Sequence, residues 1–94
     1  MVRIEWTDRS LEDLNEIHEY IARDSKNYAN LFVKKIYETV QKLKDFPNIG
    51  RVVPEGNNPS VREVIFQNYR IIYRKMNNYV EIITIIHGSR LLRI

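Results

Sequence analysis

Three strand-like runs separated by two and three residues constrain this chain more than any other feature. Val61 to Phe66, Tyr69 to Lys75 and Tyr79 to His87 are rich in valine, isoleucine and tyrosine, side chains that suit a pleated, half-buried surface. Gln67-Asn68 and Met76-Asn77-Asn78 connect them. Parallel strands need a crossover of a dozen residues or more, so connections this short predict an antiparallel meander. The last run, VEIITIIH, is apolar on both faces apart from Glu81 and Thr84, which places it inside the sheet. Alternation puts Arg70, Ile72 and Arg74 on one face and Tyr69, Ile71 and Tyr73 on the other. The face holding Arg62 depends on strand register, which the pattern leaves open.

Upstream, the hydrophobic period changes. Val2, Ile4 and Trp6 alternate with Arg3 and Glu5, the period of a short strand, Val2 to Trp6, at or near a sheet edge. Thr7 or Asp8 offers an N-cap, and Leu11, Leu14, Ile17 and Ile21 then recur at helical spacing, opposite Glu12, Asp13, Glu16 and Glu19. A helix over about Asp8 to Arg23 is expected. Asp24 to Asn27 turns the chain, and Ala29, Phe32, Val33, Ile36, Val40 and Leu43 mark a second helix carrying Lys34, Lys35, Lys42 and Lys44. Phe46-Pro47 stops it, because the residue before proline is pushed out of helical dihedrals. Asn48 to Ser60, rich in glycine, proline and asparagine, reads as a loop. The expected fold is α+β: an N-terminal strand, an antiparallel helical hairpin and a three-strand antiparallel meander, with both helices on one sheet face and the other face open. Ninety-four residues provide for one domain spanning 1–94.

Composition removes whole classes of chemistry. With no cysteine there is no disulfide framework, zinc-cysteine site or thiol nucleophile. The two histidines, His18 and His87, lie far apart without a metal-ligand spacing, and the three glycines are scattered singly rather than gathered into a phosphate loop. No metal, cofactor or small-molecule substrate is expected. No apolar run reaches signal-peptide or membrane-span length, so no membrane partner and a cytoplasmic location are expected. The net charge of +3 is unevenly spread. Met1 to Asp24 carries −4 from seven acids and three bases, which leaves +7 for the rest of the chain. An acidic protein segment or a polyanion would prefer the latter part.

Among strand residues, Arg62, Arg70, Arg74 and Arg90 stand out. Taken singly, each reads as a solvent-side strand residue, and His87 reads as a hydrogen-bonded strand end followed by a Gly88 turn. Taken in order, the residues resemble a family. Phe46-Pro47-Asn48-Ile49-Gly50-Arg51, Val61-Arg62-Glu63-Val64, Asn68-Tyr69-Arg70-Ile71-Ile72-Tyr73-Arg74 and Ile85-Ile86-His87-Gly88-Ser89-Arg90 resemble the RelE/ParE superfamily of toxins from type II toxin-antitoxin modules, of the plasmid-stabilisation type. The resemblance runs over nearly the whole chain.

It implies growth inhibition by a toxin that a cognate antitoxin neutralises, and it divides by target. ParE-like members inhibit DNA gyrase; RelE-like members are mRNA interferases, metal-independent endoribonucleases that cut messenger RNA on the ribosome. For an RNase, the resemblance carries catalytic candidacy to Arg62, Arg70, His87 and Arg90. Arg70 and Arg90 match the two arginines around the scissile phosphate and Arg62 falls near one strand lysine, whereas Glu63 or Val64 stands where a second lysine would be. The tyrosine or histidine that those enzymes place after the last strand has no counterpart before Ile94. These departures, the long hairpin and the His87-Gly88-Ser89-Arg90 ending favour the ParE-like reading. The RelE-like endoribonuclease is the alternative, and an inactive antitoxin-binding or nucleic-acid-binding module is the second alternative.

Overall fold

The computed structural model describes residues 2–92. Strand β1 (Arg3–Trp6) leads into helices α1 (Asp8–Ala22) and α2 (Lys26–Gln41), and a single 3₁₀ turn, Lys42–Lys44, extends the second helix. Four strands follow: β2 (Arg51–Val52), β3 (Val61–Phe66), β4 (Tyr69–Lys75) and β5 (Tyr79–His87). They form one sheet in the order β1-β5-β4-β3-β2. The expected meander is present with the expected bounds, and the α+β class with two helices on a sheet holds. β1 adds to it in parallel, pairing Arg3 with Tyr79 and Trp6 with Ile82.

Both helices begin where a hydroxyl is available to cap them. Thr7 accepts the Ser10 N–H at 3.0 Å and Ser25 accepts the Tyr28 N–H at 3.1 Å, each satisfying a donor that the first helical turn leaves free. The Ser25 cap starts α2 at Lys26, so the turn between the helices is tighter than Asp24 to Asn27. Ile17, Phe32, Ile36, Val40 and Leu43 pack on Ile71, Tyr73, Val80, Ile82 and Ile85 to form the main core. Beyond Ile82, where β1 pairing stops, α1 takes over the β5 edge. Thr7 Oγ1 donates to the Ile82 and Ile83 carbonyls at 2.9 and 2.8 Å, and the Asp13 carboxylate accepts the Ile85 N–H at 3.0 Å and the Thr84 hydroxyl. Acidic α1 thus spends one carboxylate on the sheet.

The face away from the helices is not open as expected. Val53, Val61 and Ile72 make a second apolar cluster with Ile83 and Leu92, so the loop after β2 and the segment after β5 cover the middle of that face. Ile72 is consequently fully buried although it points away from the helices. The loop from Pro47 to Gly50 is pinned from the opposite side. Tyr73 Oη, wholly buried, donates to the Pro47 carbonyl at 2.8 Å and accepts the Gly50 N–H at 3.0 Å. Burial pushes the Tyr73 phenol above its ordinary pKa.

Candidate functional site

Arg70 is the second residue of β4, the central strand of the sheet, opposite Ile65 and Ile86, with 6% of its surface exposed. Its Nε donates to Glu63 Oε1 at 2.6 Å, and its Nη1 and Nη2 donate to the two oxygens of Glu55 at 2.7 Å each. Nη1 also donates to the Arg90 carbonyl at 2.9 Å. Glu63, buried at 1% exposure, gives its second oxygen to Arg51 Nε at 2.6 Å, and Glu55 accepts the Leu92 N–H at 2.9 Å. One guanidinium therefore ties β3, the loop at Glu55 and the chain at Arg90 to the centre of the sheet. Two arginines and two carboxylates cancel in charge, which is what permits a charged group this deep in the protein. The bidentate hydrogen bonds from Arg70 lower the Glu55 carboxyl to about 2, helped by the Leu92 N–H. The same carboxylates, Glu55 before Glu63, raise the Arg70 pKa. An arginine with four of its five donors used offers little to an incoming phosphate.

Arg62 lies on the other face. Its register partner is Tyr73, which faces the helices, and its Nη1 donates to the Gly50 and Asn48 carbonyls at 2.7 and 3.5 Å. The four sequence candidates are thus not one cluster: the sheet separates Arg62 from Arg70, and carboxylates neutralise Arg70.

His87 and Arg90 do come together. Both line a cleft of about 190 Å³ between α1 and the end of β5, with Asp13, Glu16, Tyr20 and Tyr69. His87 is exposed, and its ring meets Tyr69 edge to face with centroids 5.6 Å apart. Burial raises the Tyr69 phenol above its ordinary pKa. Ser89 sets the His87 tautomer. The Ser89 N–H donates to Nδ1 at 3.2 Å and Ser89 Oγ lies 2.7 Å from the same nitrogen, so neutral His87 keeps Nδ1 bare and carries its proton on Nε2. Neutral His87 thus has Nε2 as a donor and its Nδ1 lone pair engaged by Ser89, while a general base for a 2′-hydroxyl needs a free lone pair. Asp13 and Glu16 on the cleft wall also disfavour a polyanion.

Glu55 was not legible as part of any site, since a lone acid in a turn-rich loop carries no signal of its partner. Glu63 was visible only as a departure from a basic pattern. Among the described residues no group of three His, Cys, Asp or Glu side chains is placed to hold a metal. The comparison at Ile94 lies outside the described residues.

A family model described as "ParE toxin of type II toxin-antitoxin system, parDE" matches residues 4–92. The chain belongs to this ParE toxin family. Y4kP of Sinorhizobium fredii is 38% identical over 90 residues, 94% of this chain and 90% of that one. Toxin RelE2 of Caulobacter vibrioides is 30% identical over 92 residues, 97% of this chain and all of the relative. Among solved structures, the chromosomal ParDE toxin-antitoxin system of P. aeruginosa superposes with a TM-score of 0.79 at 24% identity, covering 95% of this chain and 98% of that one. As a type II toxin of the RelE/ParE superfamily, the chain shares its fold with relatives named for both branches. Among the described residues no helix is long and apolar enough to cross a membrane.

Proposed function

We propose that this ParE-family toxin arrests growth by binding and inhibiting DNA gyrase, in the cytoplasm, and that a cognate antitoxin neutralises it. The observation that carries this reading is the disposition of the basic residues. Phosphorane stabilisation calls for free cations around one point, whereas Arg70 is spent on Glu55 and Glu63 and Arg62 stands on the opposite face. The tautomer of His87 points the same way. A protein surface needs no such convergence.

The antitoxin follows from the ParDE system that this fold resembles and from the charge division of the chain. An acidic, disordered segment suits the basic α2 and sheet, and β1, at the end of the sheet order, is the edge to which such a segment would add a strand.

RelE-like cleavage of messenger RNA is the second reading, favoured by the end-to-end likeness to Toxin RelE2 and by the cleft that joins His87 and Arg90. The test is to induce the chain without antitoxin while following translation with primer extension of messages, and DNA supercoiling with trapped gyrase complexes. Trapped gyrase with intact messages is the expected result. Rapid loss of translation with codon-phased cuts would overturn it in favour of RNase activity. In the same assay, His87→Ala is expected to leave arrest intact; loss of arrest with unchanged antitoxin binding would return His87 to the active site.

A further inference from the structure

Among the strand arginines, the two that the sheet separates differ in one respect that matters for ligands. Arg70 has two carboxylates, while Arg62 has none among the described residues. The Arg62 guanidinium is half-buried, held by backbone carbonyls alone, and its Nε is shut away from solvent with no hydrogen-bond partner among the described residues. A half-buried cation held by dipoles without a counter-ion is costly, and an anion supplied from outside relieves that cost.

The space beside it is suited to such an anion. Arg62 and Lys75 line a cavity of about 360 Å³ with Pro59, Ser60, Met76 and Asn77, and no carboxylate is among the lining residues. Lys75 is exposed and forms no salt bridge among the described residues. Its position is fixed by the backbone, since the Lys75 N–H donates to the Ser60 carbonyl at 2.8 Å. Ser60 and Asn77 bring a hydroxyl and an amide to the same rim, both able to donate.

We propose that this cavity is a phosphate site, in which Arg62 and Lys75 bind the phosphate of a nucleotide-sized phosphate ester while Pro59 and Met76 contact its less polar part. Two cations without an acid match a dianion better than a single carboxylate. The volume is at the lower end of small-ligand pockets and exceeds what a bare phosphate fills. Of the four residues to which the resemblance carries RNase candidacy only Arg62 enters this site, on the sheet face opposite Arg70, and His87 and Arg90 lie outside it.

The test is an amide-resolved NMR titration of the full chain with AMP, inorganic phosphate and N-acetylglutamate in parallel. Saturable shifts at Ser60, Lys75 and Asn77 are expected with AMP, with a Kd on the order of 1 mM, and with phosphate at several times that value. Lys75→Gln, at an exposed position, is expected to keep the fold and to weaken AMP about tenfold, the loss of one charge-assisted contact. No saturable shift at those amides, or equal affinity in Lys75→Gln, would overturn the site. N-acetylglutamate binding as tightly as AMP would overturn its preference for phosphate, and AMP binding no tighter than phosphate would overturn the nucleotide-sized ligand.

Discussion

At the scale of single residues, Arg70 shows why a residue type at a family position does not by itself establish a role. From the sequence alone it is a strand arginine in a basic region, and a phosphate contact is the natural expectation. In the structure its charge is used internally by Glu55 and Glu63. Substituting it therefore tests folding before it tests chemistry: Arg70→Met takes from Glu55 its ion-pair partner and leaves the buried Glu63 with Arg51 alone, and is expected to cost about 3–5 kcal/mol, measured by urea unfolding. The acid side of the network is separable. Glu55 has its carboxyl lowered to about 2 from an ordinary 4.5, so the folded state holds the ionised form more strongly than the unfolded state does. Its contribution is complete above about pH 4.5 and is lost as pH falls toward about 2. Glu55→Gln removes that contribution, so the stability difference between wild type and variant is expected to shrink through this window. A difference that stays constant from pH 6 to pH 2.5 would mean that Glu55 is not held ionised by Arg70.

At the scale of elements, the parts that could be read early were those whose determinants are local. The bounds of β3, β4 and β5 follow from β-branched runs and short polar gaps, and α1 from its apolar stripe. β2 was missed because Arg51-Val52 is two exposed residues, paired with Glu63 and Arg62, too short to show a period. The covering of the far sheet face was missed because Val53 and Leu92 act across long separations. Two turns invite direct tests. Gly50 sits where a Cβ would lie 2.6 Å from the Glu63 carbonyl oxygen and 2.7 Å from Tyr73 Oη. Gly50→Ala is expected to cost about 2 kcal/mol and to lower Tm by roughly 10 °C. An unchanged Tm would mean that the Pro47 to Gly50 loop is not clamped by Tyr73. The β3–β4 turn has the reverse defect. Gln67 has φ at 53°, a left-handed conformation that costs a side-chain-bearing residue about 1–2 kcal/mol, against about 0.4–1 kcal/mol that glycine adds to the entropy of the unfolded chain. Gln67→Gly is accordingly expected to raise Tm by a few degrees, and a lower Tm would show that the Gln67 side chain contributes more than its backbone costs.

At the scale of the whole molecule, the main feature is that the first element closes on the last. β1 pairs in parallel with β5, and Thr7 reaches the Ile83 carbonyl 76 positions away, whereas β3, β4 and β5 are joined by turns of two or three residues. Contacts of large sequence separation require loop-closure entropy before they contribute, so the meander and the helices on it are expected to be organised in the folding transition state before β1 docks. Ile4 packs on the main core from β1, and Ile71 is fully buried within it from β4. Trp6, the sole tryptophan, stacks on Tyr37 with centroids 6.2 Å apart and offers a fluorescence probe of β1 docking. Ile4→Val and Ile71→Val remove the same methyl group, each at about 0.5–1.5 kcal/mol. Stopped-flow chevrons are expected to place the Ile4→Val loss almost entirely in faster unfolding and a substantial part of the Ile71→Val loss in slower folding. If Ile4→Val slows folding as much as Ile71→Val does, β1 is already in place at the barrier, and the sheet forms from its ends inward rather than from the meander outward.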